Sequence, residues 1–202
     1  MILIRKGDII MVYSNQTEGK IRLFRDGIFS LHTRRFGTVA ELMIKKMYNL
    51  EDSSSLAFDK KTKDSNKRIE IKFATALKMN EARINEENLI DQCNKANFLN
   101  RAISSGEIYQ CNFDCNIQQI KIKEFDELYY GIFFSDVIEI FKMPSTQILN
   151  CQGYSNKQHR GNDGEGQFHI NQENIEYHHK KFKLCSITYN ELYDMFLNNK
   201  SN

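Results

Sequence analysis

The residue types best placed to do chemistry lie between Leu56 and Leu77, in the stretch LAFDKKTKDSNKRIEIKFATAL. Two short runs of strand-forming residues flank a charged turn. The first run carries Asp59; the second carries Glu70 and Lys72 in the order Glu-Ile-Lys. Side chains two apart on a strand share a face, so Glu70 and Lys72 sit side by side while Ile69 and Ile71 turn toward a core. If the runs pair as a hairpin, Asp59 approaches the Glu70 carboxylate. Two carboxylates and an ammonium on one face suit a hard divalent cation with a proton-managing group beside it. The apolar neighbours in RIEIKFATAL predict a partly buried strand, where a bare ion pair would be costly.

The elements around this stretch must position it. Phe36 to Leu50, FGTVAELMIKKMYNL, has helical character, with Val39, Leu42, Met43, Met47 and Leu50 lining one face. Glu41 falls off that stripe beside Lys45. It is either half of an exposed i,i+4 ion pair or a helix-borne carboxylate aimed at the site that follows. Residues 1–35 read as short strands (ILI, DIIMVYS, KIRLFRDGIFSL) broken at Lys6-Gly7, Glu18-Gly19 and Asp26-Gly27. Residues 80–105 suggest one or two amphipathic helices carrying Arg83, Lys95 and Arg101. In residues 118–143, the runs LYYGIFF and VIEIFKM flank Ser135-Asp136 and read as a second hairpin, ended by Pro144. The first of these runs is apolar on both faces, as expected of a central strand.

Residues 151–168, CQGYSNKQHRGNDGEGQF, change composition abruptly: four of the ten glycines fall here, with no apolar periodicity. A surface loop is expected. Lys157, Gln158, His159, Arg160, Asn162 and Gln167 give it donors and acceptors of the kind that read base edges and phosphates, and its glycines allow close backbone approach. The chain closes with a strand-like KFKLCSI and a helix. Thr188 is its expected N-cap and Glu191 completes a capping box, ahead of an apolar face of Leu192, Met195 and Phe196. His178 and His179 are adjacent and point apart, and no acidic residue stands at a telling spacing. A solvated or phosphate-contacting role is expected of them rather than catalysis.

Bulk properties narrow the class. At 202 residues, one well-formed core is expected. The formal charge of +2 neither requires nor excludes nucleic acid. No apolar run approaches the roughly 18 residues of a membrane span, and Arg5, Lys6 and Asp8 break any signal-like N-terminal run. The five dispersed cysteines lack zinc-finger spacing, so reduced thiols and a cytoplasmic location are expected.

Taken together, FGTVAELMI with Glu41, LAFD ending at Asp59, and RIEIK with Glu70 and Lys72 resemble the PD-(D/E)xK nuclease superfamily, specifically type II restriction endonucleases. QQIKIKEFDELYYGIFFSDVIEIFKMPS and QHRGNDGEGQFHI are similar to segments that follow the catalytic hairpin in such enzymes. Phe58 stands where the motif's name has Pro. The resemblance implies an α/β (α+β) fold, with a mixed central β-sheet flanked by helices in a restriction-endonuclease-like arrangement. It implies a single nuclease domain over 1–202, with the catalytic helix and hairpin in 36–77. It further implies Mg²⁺-dependent hydrolysis of double-stranded DNA. Asp59, Glu70 and the Ile71 carbonyl would hold the metal, Lys72 and Glu41 would assist, and the 151–168 loop would read bases, Arg160 first. A palindromic target would call for a homodimer. The competing expectations are a nicking or repair endonuclease of the same fold, a non-catalytic DNA-binding protein with a structural Glu-Ile-Lys, and a phosphate-ligand protein. The last lacks any Walker or dinucleotide spacing.

Overall fold

In the computed structural model of the chain, residues 6–79, 82–157 and 164–197 are described, without the side chains of 6–17 and 98. The chain begins with two helices, α1 (Lys6–Phe29) and α2 (Thr33–Met47). Four strands follow: β1 (Glu51–Asp52), β2 (Lys60–Lys61), β3 (Arg68–Thr75) and β4 (Leu77–Lys78). Short helices α3 (Leu89–Lys95) and α4 (Phe98–Arg101) lead into β5 (Phe113–Ile120), β6 (Glu127–Phe133) and β7 (Val137–Pro144). The chain then runs through β8 (Tyr154–Ser155), β9 (Gly166–Asn171), α5 (Ile175–Phe182), β10 (Lys183–Thr188) and α6 (Tyr189–Leu197).

Two sheets organise these strands. The larger has the order β1-β2-β3-β6-β7-β10 and is mixed, because β3 and β6 run parallel while its other neighbours are antiparallel. The smaller has the order β4-β5-β9-β8 and is antiparallel throughout. One face of the large sheet presents Ile69, Ile71, Tyr129, Phe133, Ile138 and Ile140 to Ala40, Met43 and Ile44 of α2, Ile28 of α1 and Leu192 of α6. The opposite face presents Leu128, Tyr130, Ile132, Phe141 and Met143 to Cys115, Ile117, Phe168 and Ile170 of the small sheet and Phe182 of α5. The protein is therefore a mixed α+β structure with a mixed sheet flanked by helices. No described helix is long and apolar enough to cross a membrane.

β6 is the covered central strand that its sequence suggests: every residue from Leu128 to Phe133 is buried. Its hairpin with β7 closes at Phe134, whose N–H donates to the Val137 carbonyl at 2.9 Å, leaving Ser135-Asp136 as the turn. The Thr188–Glu191 capping box forms: Thr188 N donates to Glu191 Oε2 at 2.6 Å and Glu191 N to Thr188 Oγ1 at 3.2 Å.

Three sequence expectations fail. Residues 6–29 are one helix, not short strands. Ile21, Phe24 and Ile28 recur at helical spacing and face the core, whereas Leu23 is 75% exposed. Packing on α6, with Phe24 against Tyr193 at 5.3 Å, outweighs the roughly 1 kcal/mol that each interior glycine, Gly19 and Gly27, costs a helix. Secondly, of the apolar stripe expected on α2, Val39, Met43, Met47 and Leu50 do reach the core beside Ala40 and Ile44, but Leu42 points outward at 47% exposed. Thirdly, 151–168 is not loop throughout. Tyr154–Ser155 and the residues from Gly166 onward are strands, and the small sheet to which they belong has no counterpart in the expected architecture.

Candidate active site

The edge of the large sheet assembles the expected cluster. β2 pairs with β3 in the register Lys60↔Ile69, which sets Asp59 opposite Glu70. Asp59 N donates to the Ile69 carbonyl at 3.0 Å, and Ile71 N donates to Asp59 Oδ2 at 2.8 Å. The carboxylate of Asp59 thus replaces a ladder acceptor just before β2 begins, and this backbone bond fixes its position. Along β3, alternation turns Glu70 and Lys72 away from Ile69 and Ile71. Lys72 Nζ lies 2.5 Å from Glu70 Oε1 and 3.8 Å from Asp59 Oδ2. The Arg68 carbonyl accepts from Asp126 N at 2.9 Å, so by alternation the backbone groups of Arg68, Glu70 and Lys72 face β6. Those of Ile69 and Ile71 face the β2 edge, and the Ile71 carbonyl is turned to the part of that edge that β2 does not cover.

Arg68 anchors the strand from its other end. Its backbone N–H and guanidinium both reach Asp126, at 2.8 Å each, which locks the start of β3 to the start of β6. This holds Asp126 below the usual carboxylate range, chiefly through the Arg68 side-chain bond.

The electrostatics of the cluster are uneven. Glu70 is only 7% exposed, and its Oε2 is buried with no hydrogen-bond partner. Burial pushes its pKa up to about 7; Lys72 opposes that shift and Asp59 adds to it. For Lys72, burial works against the ammonium, but the Glu70 and Asp59 charges outweigh it and raise the pKa. Lys72 is therefore a firmly protonated cation at neutral pH, and Glu70 is a carboxyl short of one partner.

Glu41 occupies the other side of the same edge. Lys60 pairs with Ile69 and so faces α2, and its Nζ donates to Glu41 Oε2 at 3.1 Å. Asp52 Oδ1 lies 3.5 Å from the same nitrogen. Lys45 pairs with Asp52, not with Glu41, so the i,i+4 pair is not the one formed. Lys60, only 7% exposed, is the site residue that sequence reading overlooked. The signal was present, since a residue next to Asp59 on a strand must face the opposite way.

Among the described residues no group of three or more His, Cys, Asp or Glu side chains gathers as a metal cluster. The donor set is instead two carboxylates, Asp59 and Glu70, with a main-chain carbonyl beside them. That is sufficient for Mg²⁺, which commonly binds one or two carboxylates and keeps several waters. The orphaned Glu70 Oε2 fits such a cation, because a buried unsatisfied acceptor is costly until a donor or cation reaches it.

Gln158, His159, Arg160 and Asn162 lie outside the described residues. Lys157 is exposed just beyond β8, and Gln167 sits half-buried in β9 opposite Ser155. The histidine expectation is corrected. His178 is fully buried, with Tyr130 Oη 2.9 Å from Nδ1 and the Gln152 carbonyl 3.1 Å from Nε2, and burial pulls its pKa down to about 4. His179 does have acidic partners: Glu176, three residues back on α5, with Oε1 3.9 Å from Nδ1, and Glu139, distant in sequence. Its Nε2 lies 2.6 Å from Glu139 Oε2, and its ring stacks on Phe141 at 5.9 Å. Both rings serve the packing of α5 on β6 and β7. No protein-family model matches the chain, and no curated protein is significantly similar to it.

Proposed function

We propose that this protein is a Mg²⁺-dependent endonuclease that hydrolyses phosphodiester bonds in double-stranded DNA. In this reading it has the restriction-endonuclease-like plan of the PD-(D/E)xK nucleases and acts as a homodimer at a specific site, as type II restriction enzymes do. The observation that carries the reading is the edge cluster itself: Lys72 Nζ 2.5 Å from Glu70 and 3.8 Å from Asp59, with Glu70 Oε2 buried and unpartnered.

Asp59, Glu70 and the Ile71 carbonyl would hold the cation. When bound, it supplies positive charge at the scissile phosphate and acidity to the attacking water. Asp59 is fixed for this role by its bond from Ile71 N. Glu70 divides its labour, with Oε1 holding Lys72 and Oε2 left for the metal. Lys72, kept protonated by its two carboxylates, donates a hydrogen bond to the attacking water or to a phosphate oxygen and offsets the charge that grows on phosphorus. An ammonium whose pKa is raised suits that role better than the role of general base.

The test uses the products. Supercoiled plasmid incubated with purified protein and Mg²⁺ should become linear DNA with ends at discrete positions, and EDTA should prevent it. Accumulation of open circles alone would assign a nickase of the same chemistry, and intact plasmid in both Mg²⁺ and Mn²⁺ would overturn the reading.

A further inference from the structure

We propose that Lys60 is a positioning residue that takes Glu41 as its counter-ion and thereby limits this site to one divalent cation per chain. The inference rests on the metal-site reading above and addresses how many ions that site accepts.

The geometry separates the carboxylates into two groups. Lys60 is in register with Ile69, whose side chain packs into the core beneath α2. Paired residues of an antiparallel ladder share a face, so Lys60 and Glu41 meet on the α2 side, at 3.1 Å. Asp59 and Glu70, one residue along on each strand, belong to the opposite side. A second cation held by Glu41 would have to displace a buried ammonium from its nearest carboxylate. That ammonium would keep only Asp52, at 3.5 Å and already engaged by Lys45. Removing one partner of a buried pair is expensive because the other charge stays behind.

Charge balance points the same way. With Glu70 ionised, as metal binding requires, Asp59, Glu70 and Glu41 face the two ammoniums Lys60 and Lys72, leaving one net negative charge across the edge. One divalent ion reverses that sign, and a second would enter a region already positive. Without the Lys60 charge, the same carboxylates could hold two ions.

The experiment counts Mn²⁺ bound to the metal-free, DNA-free full-length protein, by titration calorimetry together with the electron paramagnetic resonance signal of free Mn²⁺. The wild type should bind one ion per chain, and Glu41→Gln should bind one with less than a tenfold loss of affinity. Lys60→Met, which keeps the apolar stem and removes the charge, should bind two. Lys60→Met combined with Glu41→Gln should return to one, and Lys60→Arg should stay at one. Two ions on the wild type would overturn the proposal, as would a tenfold or greater loss of affinity in Glu41→Gln. One ion on a folded Lys60→Met would also overturn it. The wild-type and Glu41→Gln results decide the question even if the Lys60 variants fail to fold. No Mn²⁺ binding by the wild type would instead refute the metal-site reading itself.

Discussion

Glu70 is held where burial opposes its charge, and this gives the metal-free protein a distinctive pH response. Its pKa rises from 4.5 to about 7, so between those values the folded chain keeps a proton that the unfolded chain has released. The contribution of Glu70 to stability then falls as pH rises through that window, because at this group the native state binds more protons there. The full shift corresponds to about 3 kcal/mol. The raised pKa of Lys72 does not cancel the effect, since a lysine contributes its stability throughout this window and loses it only at alkaline pH. Burial lowers the pKa of His178 from 6.5 to about 4, which adds stability to wild type and variant alike as pH rises toward 6.5. The Glu70 effect is therefore read as a difference: without divalent ions, the Tm of the wild type should fall relative to that of Glu70→Gln from about pH 5 to about pH 8. Glu70→Gln should melt higher than the wild type at the alkaline end. Millimolar Mg²⁺ should raise the wild-type Tm there and leave Glu70→Gln unmoved. A Tm difference between the two proteins that stays constant across this range would remove the buried carboxyl from the account.

At the scale of elements, the site depends on β3 lying tightly against β6. Gly131 faces Phe73 in that parallel pair, and an added Cβ would stand 2.0 Å from Phe73 Cε1 and 2.5 Å from the Glu139 carbonyl. The ring can swing aside, but the backbone oxygen cannot. Gly131→Ala should cost about 1–3 kcal/mol, read as a lower denaturant midpoint with an unchanged slope. Thr188→Ala, which removes the cap of α6, should cost about 1 kcal/mol. An unchanged midpoint in Gly131→Ala would mean the strands are looser than the contacts indicate. The β2–β3 edge, the β6–β7 hairpin and the α6 cap were legible in the sequence because each rests on local alternation or a three-residue spacing. α1 was not: its charges and glycines break the chain into strand-sized pieces, and its helical stripe is revealed only by what it packs on. The small sheet was hidden for another reason. Phe113, Cys115 and Ile117, then Phe168 and Ile170, do alternate into the core, but these runs are short and the second emerges from a glycine-rich stretch. Asp59 and Glu70 could be paired from sequence because hairpin register follows from alternation. The separation of Glu41 from them could not, since it depends on which face α2 covers.

For the whole molecule, an addressed nuclease must combine the edge cluster with a surface that selects DNA. If the chain acts on a palindromic site, sedimentation should give a particle of twice the 23.8 kDa chain mass, and a monomer at working concentration would count against cutting both strands of such a site. Arg160→Ala should abolish preference for the cognate sequence while leaving the salt-sensitive, sequence-independent binding that phosphate contacts supply. Equal preference in mutant and wild type would move recognition elsewhere. The central claim, that Asp59, Glu70 and Lys72 form a metal-dependent phosphodiesterase centre, is tested most directly by comparing Mg²⁺-dependent plasmid cleavage by the wild type and Lys72→Ala at matched, folded protein concentrations. The expected result is cleavage by the wild type and a loss on the order of a hundredfold or more in the variant, with circular dichroism unchanged. Cleavage by Lys72→Ala at the wild-type rate would contradict the assignment.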